Sequence, residues 1–107
     1  MEIKLSEKNG LSDVEISTSE LVTTLNYNQR PLYSDLTTIL DVKTDKNLLF
    51  YNTCGCTIAA PQKTENGYIL SVKYDAEKVG VFGKTVIVTD YVNNKEVHQI
   101  ILRGLIK

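Results

Sequence analysis

Turn-forming residues divide this chain into short segments, and that division constrains its fold more than any other feature. The turns are marked by glycine, proline, asparagine and aspartate, at Asn9-Gly10, Arg30-Pro31, Asp45 to Asn47, Glu65 to Gly67, Val79-Gly80 and Asn93-Asn94. The segments between them are rich in Val, Ile, Thr, Tyr and Leu, which suit a pleated, half-buried surface. Short strands separated by turns predict an all-β fold, either a sandwich or a barrel.

Alternation of apolar and polar residues predicts the strands of the second half. Residues 68–74 place Tyr68, Leu70, Val72 and Tyr74 on one face. Residues 84–91 and 96–103 follow as a hairpin. Asn93-Asn94 suits a two-residue turn there, because asparagine tolerates the positive φ that such turns require. The return strand places Val97 and Ile101 on one face and His98, Ile100 and Leu102 on the other.

The first half of the chain gives a weaker pattern. Residues 36–42 and 48–53 predict a second hairpin around Thr44 to Asn47. Two interpretations compete for residues 1–35. The pairs Ile3/Leu5 and Val14/Ile16 alternate as strands would, whereas Ser12 and Glu15 fit a helix capping box, with Val14, Leu21, Val22 and Leu25 along one helix side. Strands are favoured, because Thr18, Val22, Thr23 and Thr24 are poor helix formers.

Length and charge limit the function classes. The 107 residues suffice for one domain with a core of its own. The 12 basic and 13 acidic residues give a net charge of −1 and form no basic stripe, so no nucleic-acid partner is expected. No apolar run is long enough to span a membrane, and residues 1–8 lack the apolar core of a secretory signal. We therefore expect a chain made and kept in a cytoplasm, with other proteins as its partners.

Two cysteines flanking one glycine, Cys54-Gly55-Cys56, invite a metal or redox interpretation. A structural zinc site needs four nitrogen or sulfur ligands, and His98 is the only histidine available to join the two thiols. A disulfide across one residue is strained, and a reactive thiol needs a nearby base, for which His98 is again the only imidazole. A partly exposed, structural role is expected for that histidine. The favoured interpretation is that a cysteine packs as a small apolar residue, while Gly55 allows a bulge or a close strand approach. No catalytic, cofactor-binding or metal-binding residue is predicted.

A resemblance to a known family covers residues 36–106. The residues that carry it are Cys54, Gly55, Cys56 and Thr57, then Gly80, Phe82, Lys84 and Thr85, and finally Gly104 in the closing strand. In this order they resemble the bacterial Ig-like domains related to Hydin-type (ASH) sandwiches. The resemblance implies an Ig-like antiparallel β-sandwich of about seven to eight strands that acts as an adhesion or assembly module. It implies a structural role for these nine residues and no cofactor.

The function expected on these grounds is a non-enzymatic assembly module. Its most specific form is a bacteriophage virion component, such as a capsid auxiliary, decoration, neck or tail protein, that binds other proteins through sheet edges or through residues 1–35. The excess of lysine over arginine, typical of an AT-rich coding sequence, and the near-neutral charge motivate this expectation. A bacterial envelope or surface interaction domain is the alternative. A thiolate metal site shared between subunits at Cys54 and Cys56 is the second alternative.

Overall fold

The described part of the protein is built from nine β-strands. The computed structural model describes residues 4–8, 14–53, 55 and 57–107, and this part of the chain contains no helix. The strands are β1 (Lys4–Glu7), β2 (Glu15–Thr18), β3 (Val22–Arg30), β4 (Asp35–Lys43), β5 (Leu48–Asn52), β6 (Thr57–Thr64), β7 (Gly67–Asp75), β8 (Gly80–Asp90) and β9 (Lys95–Ile106). The predicted all-β class is confirmed, with nine strands in place of seven to eight.

The strands form two sheets that pack against each other. The four-stranded sheet has the order β1-β4-β7-β6, and the five-stranded sheet has the order β2-β3-β9-β8-β5. Neighbouring strands are antiparallel except β3 and β9, which run parallel. Two facing sheets bury one side of each strand between them, which is the architecture of a β-sandwich.

The core lies between the sheets and follows the alternation of the sequence. The predicted inward residues of β7 are all buried, as are Ile100 and Leu102 on β9 and Val86 and Val88 on β8. Both sheets add further apolar side chains, namely Leu36, Leu40 and Val42 from β4 and Leu48, Leu25 and Tyr27 from β5 and β3. Burial of such apolar surface contributes about 25 cal/mol of stabilisation per Å², and it is the main stabilising contribution to a fold of this kind.

The strand interpretation of the N-terminal region is confirmed where the chain is described. Glu15 begins β2, and Val14 and Ile16 pack against the core, whereas Ser12 of the capping-box alternative lies outside the described residues. Strand β3 continues into a parallel ladder with β9, interrupted by a bulge between Asn26 and Gln29. Asn28 takes a positive φ of 57° at this bulge, a conformation that asparagine tolerates better than most residues.

The predicted hairpin between residues 36–42 and 48–53 is wrong. Strand β4 pairs with β1 and β7, whereas β5 pairs with β8 in the other sheet. Thr44 anchors this crossing, because its N–H donates to the Asn66 carbonyl (3.1 Å) and its hydroxyl accepts the Lys46 N–H (3.1 Å). Alternation identified both segments as strands, but it carries no information on which strand each one pairs with.

The hairpin between β8 and β9 is confirmed with a longer turn than predicted. Asp90 pairs with Lys95, so four residues connect the strands, and Asn94 has a φ of 53°. The Asp90 carboxylate accepts hydrogen bonds from the Asn93 side chain (2.9 Å) and the Val92 N–H (3.0 Å). These bonds, led by that of Asn93, hold the pKa of Asp90 below its usual value, although burial opposes the shift. The aspartate therefore organises a turn that two asparagines alone would not define.

Candidate interaction surface

The residues that carry the family resemblance lie on both sheets. Thr57 is the first residue of β6 and is buried, and Gly55 lies in the connection that precedes it. Cys54 and Cys56 lie outside the described residues, so the expectations about their thiols remain predictions. Gly80, Phe82, Lys84 and Thr85 lie on β8, and Gly104 lies on β9 directly opposite Phe82. The register therefore brings two of the nine residues into contact across strands.

Phe82 and Gly104 belong to an aromatic cluster between the sheets. The Phe82 ring stacks on Tyr74, with ring centroids 3.9 Å apart and planes 5° apart, and lies 6.4 Å from the Tyr27 ring. A Cβ atom at Gly104 would lie 3.0 Å from the Phe82 ring and 3.0 Å from the Asn28 carbonyl oxygen. Glycine suits this position because the phenyl ring and the Asn28 carbonyl leave little room for a side chain. The pair is thus a packing unit.

Tyr27 completes this cluster through polar contacts. Its hydroxyl shares a hydrogen bond with the Thr38 hydroxyl (2.6 Å), so the two sheets are joined by one buried polar contact beside the stacked rings. Burial raises the pKa of Tyr27, and the Thr38 bond opposes that shift. The Arg30 Nε donates to the Tyr27 carbonyl (2.7 Å). These contacts hold the Tyr27 side chain and backbone in place, and none of them places a base beside a nucleophile.

Replacing Gly104 with alanine tests the packing unit. Gly104→Ala should lower the free energy of unfolding by about 1–3 kcal/mol, because the methyl group overpacks against Phe82 and Asn28. In a Phe82→Leu background the loss of unfolding free energy caused by Gly104→Ala should be smaller by at least about 0.5 kcal/mol, because the leucine side chain leaves more space. Gly83→Ala is the matched control, because nothing lies within 4 Å of its Cβ position. Urea unfolding of the four variants measures both quantities, and purely additive costs would contradict the account.

Among the remaining motif residues, Thr85 positions the residue that follows β5. The Thr85 carbonyl accepts hydrogen bonds from the Thr53 N–H (3.3 Å) and the Thr53 hydroxyl (2.8 Å), which ties the residue before Cys54 to β8. Lys84 borders a surface recess of about 390 Å³ together with Gly55, Tyr74, Asp75, Glu77 and Lys78. Both charge signs meet in this recess, and its described residues include no thiol, imidazole or serine hydroxyl.

His98 is buried, which corrects the expectation of a partly exposed side chain. It is 2% exposed, and its Nε2 lies 2.8 Å from the Thr23 hydroxyl on the parallel neighbour β3. Its Nδ1 is buried with no hydrogen-bond partner among the described residues. Burial lowers the pKa of His98, opposed by the Glu20 backbone. The imidazole is six residues from Gly104 along β9, about 20 Å, so it lies far from the aromatic cluster.

Acidification should destabilise the protein through His98. Because its folded-state pKa is lowered, the unfolded chain binds the proton first, and the free energy of unfolding falls as pH drops below about 6.5. The slope for one proton is at most about 1.4 kcal/mol per pH unit. In His98→Gln this loss between pH 7.5 and 5.5 should disappear, since the chain has no other histidine. Denaturant unfolding of both proteins at the two pH values measures this loss. A wild-type free energy of unfolding that is the same at pH 7.5 and pH 5.5 would refute the prediction.

Strand β5 presents an open edge on the five-stranded sheet. Within the described ranges it pairs with β8 alone. The Asn47 carbonyl accepts a hydrogen bond from the Tyr91 N–H, and the Thr53 N–H donates one to the Thr85 carbonyl. Bonded pairs alternate along an antiparallel ladder, so Leu49 and Tyr51 complete the set bonded to β8. The backbone groups of Phe50 and Asn52 therefore point away from the sheet. This edge offers hydrogen-bond donors and acceptors to another strand.

Apolar side chains lie on the outer face of the same sheet, one row beside this edge and another near the start of β8. Tyr51 is 50% exposed and pairs with Ile87, and Val81 is 86% exposed and pairs with Leu105. Register partners project from the same side, so each pair forms a row across the face. A shallow groove of about 740 Å³ lies near the start of β8, away from β5, and is lined by amide side chains of β3 and by Arg103. The β5 edge and the adjoining row of Tyr51 and Ile87 form one surface suited to a protein partner.

The comparisons with known proteins do not indicate a function for this chain. No protein-family model and none of the curated proteins matches the chain. Among the described residues there is no group of three metal-ligating side chains and no helix with the length and apolarity to span a bilayer. The open edge of β5 and the adjoining outer face at Tyr51 and Ile87 are the described features that suit binding to another protein.

Proposed function

We propose that this chain is a non-enzymatic assembly module built on an Ig-like sandwich. The strand order supports the Ig-like assignment. One sheet has the order β1-β4-β7-β6, equivalent to the A-B-E-D sheet of an Ig domain, and β9-β8-β5 has the order of its G-F-C sheet. The crossing from β4 to β5 corresponds to the B-to-C connection between the sheets of such domains.

The observation that carries the assembly role is the open edge of β5 beside an apolar face. Unpaired backbone groups on an exposed edge are a template for another strand, and β-strand addition is a common mode of protein recognition. Tyr51 belongs to both features, because its backbone lies in the edge strand and its side chain projects from the face. Exposed tyrosine is also among the residues enriched at protein interfaces.

The setting we propose is a bacteriophage virion, in which the chain would serve as a capsid auxiliary, decoration, neck or tail component. Repeated copies in a particle raise the local concentration of a modest binding surface, so a short edge strand suffices for attachment. The near-neutral net charge of −1 avoids strong repulsion between copies. The lysine-rich, arginine-poor composition supports an AT-rich genome as the source.

Particle association tests this function. An epitope-tagged chain expressed in the cells that encode it should co-sediment with purified virions. Tyr51→Lys should reduce the bound fraction at least tenfold, because it places a charge on the proposed contact. Ile58→Lys on β6 is the matched control, since Ile58 is equally exposed at 50% but lies on the other sheet. Recovery only as free protein would contradict the proposal, and recovery with envelope fractions would favour the envelope alternative.

A further inference from the structure

We propose that β5 pairs antiparallel with β5 of a second copy of this chain, around a two-fold axis at Tyr51. The pairing rests on the proposed assembly function and names its partner. It would join two five-stranded sheets edge to edge into one continuous sheet of ten strands.

The character of the four sheet edges singles out β5. Edge strand β6 contains Pro61 and Lys63, and proline on an edge strand removes the outward N–H that a partner would bind. Edge strands β1 and β2 are four residues long and carry charged side chains. Strand β5, Leu-Leu-Phe-Tyr-Asn, contains neither proline nor charge. It lacks the proline and the charged side chains by which natural proteins prevent edge pairing.

The hydrogen-bonding groups on this edge suit a second copy of the same strand. The Leu48 N–H is already used, because it donates to the Tyr68 hydroxyl (2.9 Å). Phe50 and Asn52 are the residues of β5 whose N–H and C=O both point outward. A two-fold axis at Tyr51 places Phe50 of one copy opposite Asn52 of the other. Each such pair exchanges two hydrogen bonds, so four bonds satisfy all these groups.

The side chains on this edge also suit self-pairing. At the axis the two Tyr51 residues face each other in a non-hydrogen-bonded pair, where side chains approach most closely. An identical charged strand would place like charges together, and β5 carries none. The Phe50 ring packs edge-on against Tyr68 at 5.5 Å and 76°, so the strand is held extended before it binds. Little ordering entropy then opposes the pairing.

Disulfide trapping tests the position of the axis. With Cys54 and Cys56 replaced by serine, Tyr51→Cys should form a covalent dimer under mild oxidation. Facing Cα atoms in a non-hydrogen-bonded pair lie about 4.5 Å apart, within disulfide reach. Leu49→Cys in the same background is the control, because its two copies would lie more than about 13 Å apart. Linking through residue 49 with none through residue 51 would overturn the proposed axis.

Sedimentation of the reduced chain with its native cysteines tests the pairing without those replacements. The wild type should show a concentration-dependent monomer–dimer equilibrium. Asn52→Pro, which reproduces on β5 the block that Pro61 supplies on β6, should weaken dimerisation at least tenfold with thermal unfolding unchanged, and Ile58→Lys should dimerise like the wild type. A wild type that stays monomeric, or an Asn52→Pro variant that dimerises normally, overturns the pairing. If the chain is monomeric and still co-sediments with virions, only the pairing is refuted. If it dimerises but does not co-sediment with virions, only the virion role is refuted.

Discussion

The crossing of the chain between the two sheets, from Lys43 at the end of β4 to Leu48 at the start of β5, is the constraint on which the surface of this protein depends. Because β5 joins β8, the five-stranded sheet ends in a short apolar strand with an open side. Tyr68 holds that strand in place from the opposite sheet, through the bond of its hydroxyl to the Leu48 amide and through its contact with Phe50. The edge is therefore exposed and still rigid.

The opposite end of the sandwich depends on a different interaction. Phe82 stacks on Tyr74 and lies over Gly104, while Tyr27 links the sheets through Thr38. The two motif residues Phe82 and Gly104 are thus explained by packing alone. This cluster and the β5 edge serve separate purposes, since one closes the interior and the other leaves backbone groups available at the surface.

Local patterns in the sequence predicted the elements whose partners are close along the chain. The alternation from Tyr68 to Tyr74 identified a strand and its buried face, and the hairpin of β8 and β9 followed from two patterned segments around one turn. Its turn was longer than expected because the Asp90 side chain binds the backbone after it. Such a contact between a side chain and a turn depends on geometry that residue types do not specify.

Interactions between distant segments were beyond the reach of those patterns. The partner of β5 is about 40 residues away in sequence, and nothing in residues 48–53 distinguishes β8 from β4. The burial of His98 depends on Thr23, 75 residues earlier, which supplies the polar contact that makes an interior imidazole acceptable. The open edge was predicted only in general terms, as exposed strand edges, because an edge exists only once all strand partners are known.

Amide hydrogen exchange along β5 in dilute solution, where the chain is monomeric, tests the placement of this strand most directly. The account predicts slow exchange for the amides of Leu48, Leu49 and Tyr51, which are bonded to Tyr68 or to β8, and fast exchange for those of Phe50 and Asn52. The reverse alternation, or cross-strand contacts between β4 and β5 in the same spectra, would contradict it.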